Sequence, residues 1–125
     1  MNAPRRLTVL YDARCSVCTR ARDWLAHQEK YVPLSFVAAG SAEARQRFPE
    51  LDPEKTLEEI TVVGEGGQVY RGAKGWVMCL WALRRYRALA LELGKPARLA
   101  TAQRFVAWFS RHRLRFGMVP RVHWS

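Results

Sequence analysis

The sequence has few cysteines, three in 125 residues, and an odd number argues against the disulfide framework of small secreted domains. It lacks any run of ~18 uncharged apolar residues, so no transmembrane helix is expected. The apolar run after Arg5 and Arg6 covers only Leu7–Tyr11, which is too short for the core of a signal peptide. We therefore predict a cytoplasmic protein, in which cysteines are more often catalytic or metal-binding than structural.

Acidic residues are scarce in the C-terminal part of the chain. Residues 71–125 contain twelve Lys and Arg but a single acidic residue, Glu92, whereas residues 1–70 contain nine basic and ten acidic residues. Such asymmetry is typical of a surface that binds an anionic partner. It also fits a solvated helical face whose arginines pack their stems on the protein and point outward. We favour the second interpretation.

Apolar spacing and turn residues predict an ordered series of strands and helices. The strands are Leu7–Tyr11, Leu34–Val37, Ile60–Val63 and Gln68–Arg71, and the helices are Ser16–Gln28, Ala42–Phe48, Trp76–Leu93 and Ala97–Phe109. The first two strands flank a helix, which implies a right-handed parallel crossover, and the last two form a hairpin. This order is the thioredoxin-like one, and it would also fit other small α/β sandwiches. We predict an α/β fold, a thioredoxin-like sandwich with a four-stranded mixed sheet and an additional C-terminal helix. We expect one domain, 1–125, with a core of about residues 7–93 and a basic helical extension of about residues 97–125.

Cys15 and Cys18 form a C-x-x-C pair between the first predicted strand and the first predicted helix. The N–H groups and the dipole at a helix N-terminus stabilise a thiolate, and C-x-x-C thiols there reach pKa values of ~3.5–7. Arg14 adds to this effect and Asp12 opposes it. Because Cys15 lies at the helix start and Cys18 one turn further, we expect Cys15 to be the exposed, attacking thiol. Cys18 would then be shielded and resolve the mixed disulfide.

The sequence leaves two questions near the cysteine pair: the role of Asp12, and whether the cysteines and histidines form a metal site. Asp12 is equally well explained as a turn residue and as a carboxylate that accepts or relays a proton. Structural zinc needs four ligands, and His27, His112 and His123 do not have the spacing of a His pair. Cys79 lies on an apolar helix face and is expected in the core. We predict no metal and no bound cofactor, and cysteines without a redox role stay open as an alternative.

The segment Tyr11–Cys18, YDARCSVC, resembles the opening of the DCC family, named for a D-x-x-C-x-x-C signature after a first strand. Asp12, Cys15 and Cys18 match that signature. The likeness continues through residues 34–37, 61–72 and 76–93 and covers most of residues 7–118. It implies a thiol–disulfide oxidoreductase on a thioredoxin-like fold, with Cys15 and Cys18 as the catalytic pair and Asp12 in support.

The sequence departs from the family and from thioredoxins at three places. Ala13 stands where the family usually has Gly, and Ser16 stands where it often has Pro. Thioredoxins carry a cis-proline before the third strand, and Glu58–Ile60 occupies that place here. The sequence therefore does not predict substrate docking in the manner of thioredoxin.

These patterns predict dithiol–disulfide exchange between the Cys15/Cys18 pair and a protein or small-thiol partner. The alternative is a non-catalytic binding module that uses the basic, aromatic C-terminal half for nucleic acid or an anionic membrane surface. Its basic residues include Arg84, Arg85, Arg87, Arg104, Arg111, Arg113 and Arg115.

Overall fold

The structure, a computed structural model, describes residues 3–112. The strands are β1 (Leu7–Tyr11), β2 (Leu34–Ala38), β3 (Thr61–Gly64) and β4 (Val69–Arg71). The helices are α1 (Ser16–His27), α2 (Ala42–Arg47), α3 (Pro53–Glu58), α4 (Ala73–Trp81), α5 (Arg87–Leu93) and α6 (Pro96–His112). Within these residues, no helix has both the length and the apolar character needed to span a membrane.

The four strands form one mixed sheet in the order β2-β1-β3-β4. β1 is parallel to β2 and antiparallel to β3, and β3 is antiparallel to β4. Thr8 pairs with Ser35 in the β1–β2 register, and their hydroxyl groups are 3.1 Å apart. The sheet order, the parallel crossover through α1 and the final hairpin make this an α/β fold of the thioredoxin-like type, as the sequence predicts.

Alternating side chains of the central strands cover the two faces of the sheet. On one face Val9 and Val62 pack with Leu25 of α1 and with Cys79 of α4. On the other face a smaller cluster lies under α2, and it consists of Leu10, Val37, Val63 and Ala44. Because β1 and β3 are buried on both faces, their sequences are nearly continuous apolar runs. The core therefore holds α1 and α4 against the same side of the sheet.

Gly75 lets α4 approach the sheet closely. A Cβ atom at this position would lie 3.1 Å from the carbonyl oxygen of Tyr70, 3.3 Å from Cγ2 of Ile60 and 3.4 Å from Cγ2 of Val62. Distances of this kind are tighter than ordinary van der Waals contact. A side chain at residue 75 would require these neighbours or the helix to move by a few tenths of an ångström.

The long helix predicted for Trp76–Leu93 is wrong, because the chain forms two helices with a break after Trp81. In the break the main chain bonds to the segment before β2 as well as to the end of α4. The carbonyl of Ala82 accepts from the N–H of Tyr31 at 2.8 Å, and the N–H of Arg84 donates to the carbonyl of Glu29 at 3.0 Å. These long-range bonds replace helical ones and bury Leu83 completely.

Two further differences concern a short helix, α3, and the start of α6. Helix α3 was not predicted, although Asp52 caps it by accepting from the N–H of Glu54 at 3.0 Å and Pro53 occupies its first turn. Helix α6 begins at Pro96, one residue before the predicted start at Ala97. The predicted basic extension reaches residue 125, and its residues 113–125 lie outside the described residues.

Candidate functional site

The turn between β1 and α1 brings Asp12, Cys15 and Cys18 together. Oδ1 of Asp12 accepts from the N–H of Arg14 at 2.9 Å, and the carbonyl of Asp12 accepts from the N–H of Cys15 at 3.2 Å. Cys15 is the N-cap of α1, and its Sγ accepts from the N–H of Cys18 at 3.3 Å. A sulfur atom thus takes the place that a serine or aspartate oxygen has in most N-caps, where the helix dipole favours negative charge.

The exposure of the two thiols is the reverse of the prediction. Cys15 has 0% of its surface exposed, whereas Cys18 is half-buried. The side chain of Cys15 turns back over the first turn of α1 to reach the N–H of Cys18, which removes its sulfur from solvent. Cys18 lies one turn along the helix, on the face that borders a cavity.

This cavity has a volume of about 400 Å³ and lies beside Cys18. Its wall comes from β1, α1, α3, α4, α6 and the segment before β3, and most of the lining side chains are apolar. Trp76 and Leu80 of α4 belong to this wall, as do Phe105 and Phe109 of α6. The charged side chains that the described residues contribute are Asp12, Arg22 and Glu59. The volume lies within the range of small-molecule sites.

Asp12 is a buried member of the cavity wall. Only 4% of its surface is exposed, and it shares the wall with Cys18. Its bond to the N–H of Arg14 agrees with the interpretation as a turn residue. Its place beside Cys18 is what the interpretation as a proton acceptor requires. The role in proton transfer stays a prediction.

Arg22 is a wall residue that the sequence interpretation missed. Its guanidinium donates to Asp23 at 2.6 Å and to the hydroxyl of Tyr11 at 2.9 Å, and it lies 5.0 Å from the centre of the Tyr11 ring. The hydrogen bond to Asp23 raises the pKa of Arg22 above its ordinary value, so the side chain stays charged. The signal was present in the sequence, because Cys18 and Arg22 are four residues apart and share one helix face.

Cys79 is a core residue, as predicted. It has no exposed surface, and burial raises the pKa of its thiol to about 12. His27 lies in the last turn of α1 with Nδ1 2.7 Å from the carbonyl oxygen of Asp23. In the described part of the chain no three His, Cys, Asp or Glu side chains are grouped as metal ligands would be. The side chain of His112 and all of His123 lie outside that part.

Two arginines of the basic half pack on the protein itself. The guanidinium carbons of Arg84 and Arg87 lie 4.8 and 4.4 Å from the centre of the Tyr31 ring. Arg87 also lies 4.3 Å from the Trp81 ring centre and donates to the Trp81 carbonyl at 2.8 Å. These contacts agree with the favoured interpretation for both residues. Arg85 and Arg104 are exposed, and the side chains of Arg111, Arg113 and Arg115 lie outside the described residues.

Comparison with known proteins adds one finding to this geometry. A family model described as DCC1-like thiol-disulfide oxidoreductase matches residues 9–118. The matched range contains the cysteine pair and every described residue of the cavity wall. Comparison with curated proteins and with solved structures gives no match.

Proposed function

The chain belongs to the DCC1-like thiol-disulfide oxidoreductase family, and from this premise we propose that Cys15 and Cys18 cycle between a dithiol and an intramolecular disulfide. One observation carries the proposal. The Sγ atom of Cys15 accepts from the N–H of Cys18 at the first turn of α1, so both thiols lie within one helical turn. Such short spacing suits a disulfide that forms and opens without a large movement of the backbone.

The exchange proceeds in two steps. One thiolate of the pair attacks a partner disulfide, the partner's S–S bond breaks, and its first sulfur leaves as a thiolate that takes up a proton. The second thiol loses its proton and attacks the mixed disulfide, which releases the partner's second sulfur and closes the Cys15–Cys18 bond. In the reverse direction Cys15 leaves as an anion that the N-terminus of α1 and the N–H of Cys18 stabilise. Asp12 accepts the proton released during the second step.

The partner is a protein or small-molecule thiol or disulfide. No cis peptide bond occurs among the residues described, and Glu59 before β3 is extended with φ −150° and ψ 158°. The partner therefore docks without the cis-proline loop of thioredoxins. A cytoplasmic location stays a prediction from cysteine usage, and cell fractionation of the full chain would test it.

The test is an oxidation and reduction cycle on the full chain. Treatment of the reduced protein with a small disulfide should join Cys15 to Cys18, which peptide mapping by mass spectrometry detects. Cys15→Ser and Cys18→Ser should each abolish this disulfide and the reduction of insulin by the protein, and Cys79→Ala should retain both. Alkylation of the pair should have a pH midpoint below ~8.5, the value of an ordinary thiol. The proposal fails if the wild-type protein forms no Cys15–Cys18 disulfide under these conditions.

A further inference from the structure

Only one residue of the pair belongs to the wall of the cavity. Cys18 is part of its wall, whereas Cys15 is fully buried and outside it. A molecule that enters the cavity therefore meets Cys18 before Cys15. This placement assigns the two thiols the opposite roles to those expected from their order in the chain.

The wall of the cavity selects against charged molecules. Charged groups lose their hydration in an apolar cavity, and each one without a partner there carries a large free-energy cost. Arg22, the cationic member of the wall, is already held by Asp23 and Tyr11. Asp12 and Glu59 are acidic and would repel an anion. An uncharged, apolar molecule is thus the occupant that the lining favours.

The surroundings of the cavity favour a small molecule over a polypeptide. An extended polypeptide binds a sheet by adding a strand to an open edge. The strands next to the cavity are central, since β1 pairs with β2 and β3, and β3 pairs with β1 and β4. The carbonyl of Ile60, which lies in the wall before β3, accepts from the N–H of Gly72 at 3.0 Å. A volume of about 400 Å³ matches a compact ligand.

We infer that the cavity binds an apolar, low-molecular-weight disulfide, that Cys18 attacks it, and that Cys15 resolves the product. This inference rests on the proposed function. The Cys18 thiolate breaks the substrate's S–S bond and forms a mixed disulfide, and the first apolar thiol leaves with a proton. Cys15 then attacks the sulfur of Cys18 and releases the second thiol with its proton. A small dithiol, dithiothreitol in the assay, reduces the Cys15–Cys18 disulfide and restores the protein.

The first experiment compares two disulfides and two matched variants of α1. The reduced full chain is mixed with dibutyl disulfide or with glutathione disulfide, and each rate is divided by that of N-acetylcysteine with the same disulfide. The wild type should prefer dibutyl disulfide by about tenfold or more, the effect of burying a few methylene groups. Ala21→Leu, which fills the cavity wall, should lower that preference about threefold or more. Ala26→Leu, on the exposed side of the same helix, should leave it unchanged.

The second experiment identifies the attacking sulfur without relying on a cavity variant. Cys15→Ser treated with dibutyl disulfide should keep a butylthio group on Cys18, and Cys18→Ser should acquire none on Cys15 under the same conditions. A butylthio group on Cys15 in the second variant overturns the inference. The inference is also overturned if the wild type prefers dibutyl disulfide by less than about tenfold. It is overturned as well if Ala21→Leu changes this preference no more than Ala26→Leu does. If the wild type forms the Cys15–Cys18 disulfide but shows these results, the proposed function stands and only the inference fails. If that disulfide never forms, both fail.

Discussion

The sulfur of Cys15 accepts a hydrogen bond from the N–H of Cys18 at 3.3 Å, so one residue is both a thiol and the cap of its helix. Serine can replace the cap but not the thiol. We expect Cys15→Ser and Cys15→Ala to lose exchange activity equally. Cys15→Ala should be less stable than Cys15→Ser by about 1 kcal/mol, the usual value of an N-cap hydrogen bond. Urea unfolding of the reduced proteins measures the difference, and equal stabilities would contradict the capping role.

The buried thiol of Cys79 makes stability depend on pH in the alkaline range. Its pKa is about 12 in the folded protein and ~8.5 in an unfolded chain. Between these values the unfolded state binds fewer protons, so the free energy of unfolding falls as the pH rises. The stability that this buried neutral thiol contributes is fully present below ~8.5 and is lost as the pH rises from there toward about 12.

Cys79→Ala removes the titration of this thiol. The difference between the wild type and the variant therefore separates its effect from the ionisation of lysines and tyrosines. The stability advantage of the wild type over Cys79→Ala should therefore shrink between about pH 8 and about pH 10. Urea unfolding at both pH values, with reductant present, gives the two differences. An advantage that stays constant across this range would show that Cys79 does not titrate as expected.

Leu83 lies in the break between α4 and α5 and is completely buried, whereas Leu91 of α5 is 61% exposed. The two leucines form a matched pair for alanine substitution. Leu83→Ala should lower the free energy of unfolding by about 2–5 kcal/mol, because it leaves a cavity in the core. Leu91→Ala should change it by less than ~0.5 kcal/mol. Equal losses in urea unfolding would mean that the break does not pack as described.

Arg87 lies between the rings of Tyr31 and Trp81, and its neighbour Arg85 is exposed. A lysine keeps the charge but lacks the planar group that stacks on both rings. We expect Arg87→Lys to lower the thermal midpoint by an amount equivalent to about 1 kcal/mol, and Arg85→Lys to have little effect. Calorimetry on both variants measures the two thermal midpoints. Identical midpoints would indicate that the stacking adds no stability.

The sheet could be predicted from the sequence because its signals are local. β1 and β3 are short runs of apolar residues, and the turn at residues 64–67 follows β3 directly. The break after Trp81 could not be predicted in the same way. It depends on main-chain bonds to Glu29 and Tyr31, about fifty residues earlier in the chain, and helical periodicity contains no information about them. Helix α3 is a different case, because Asp52 and Pro53 are a local start signal from which this helix could have been predicted.

The site was predicted in part for similar reasons. The strand, the turn at Asp12 and the helix start are adjacent in sequence, so the location of Cys15 and Cys18 followed from their order. Their exposure was wrong, because position along a helix does not reveal which way a cap side chain turns. The cavity was missed because its wall includes Phe105 and Phe109, which only the folded chain brings near Cys18.

The close approach of α4 to the sheet at Gly75 also bears on the position of one side of the cavity. The next residues of α4 on the cavity side are Trp76 and Leu80, and both move with the helix that Gly75 holds against Tyr70. A methyl group at position 75 would push this helix outward by a few tenths of an ångström and shift one side of the chamber with it. The absence of a side chain at residue 75 therefore helps to set where the α4 side of the cavity wall stands.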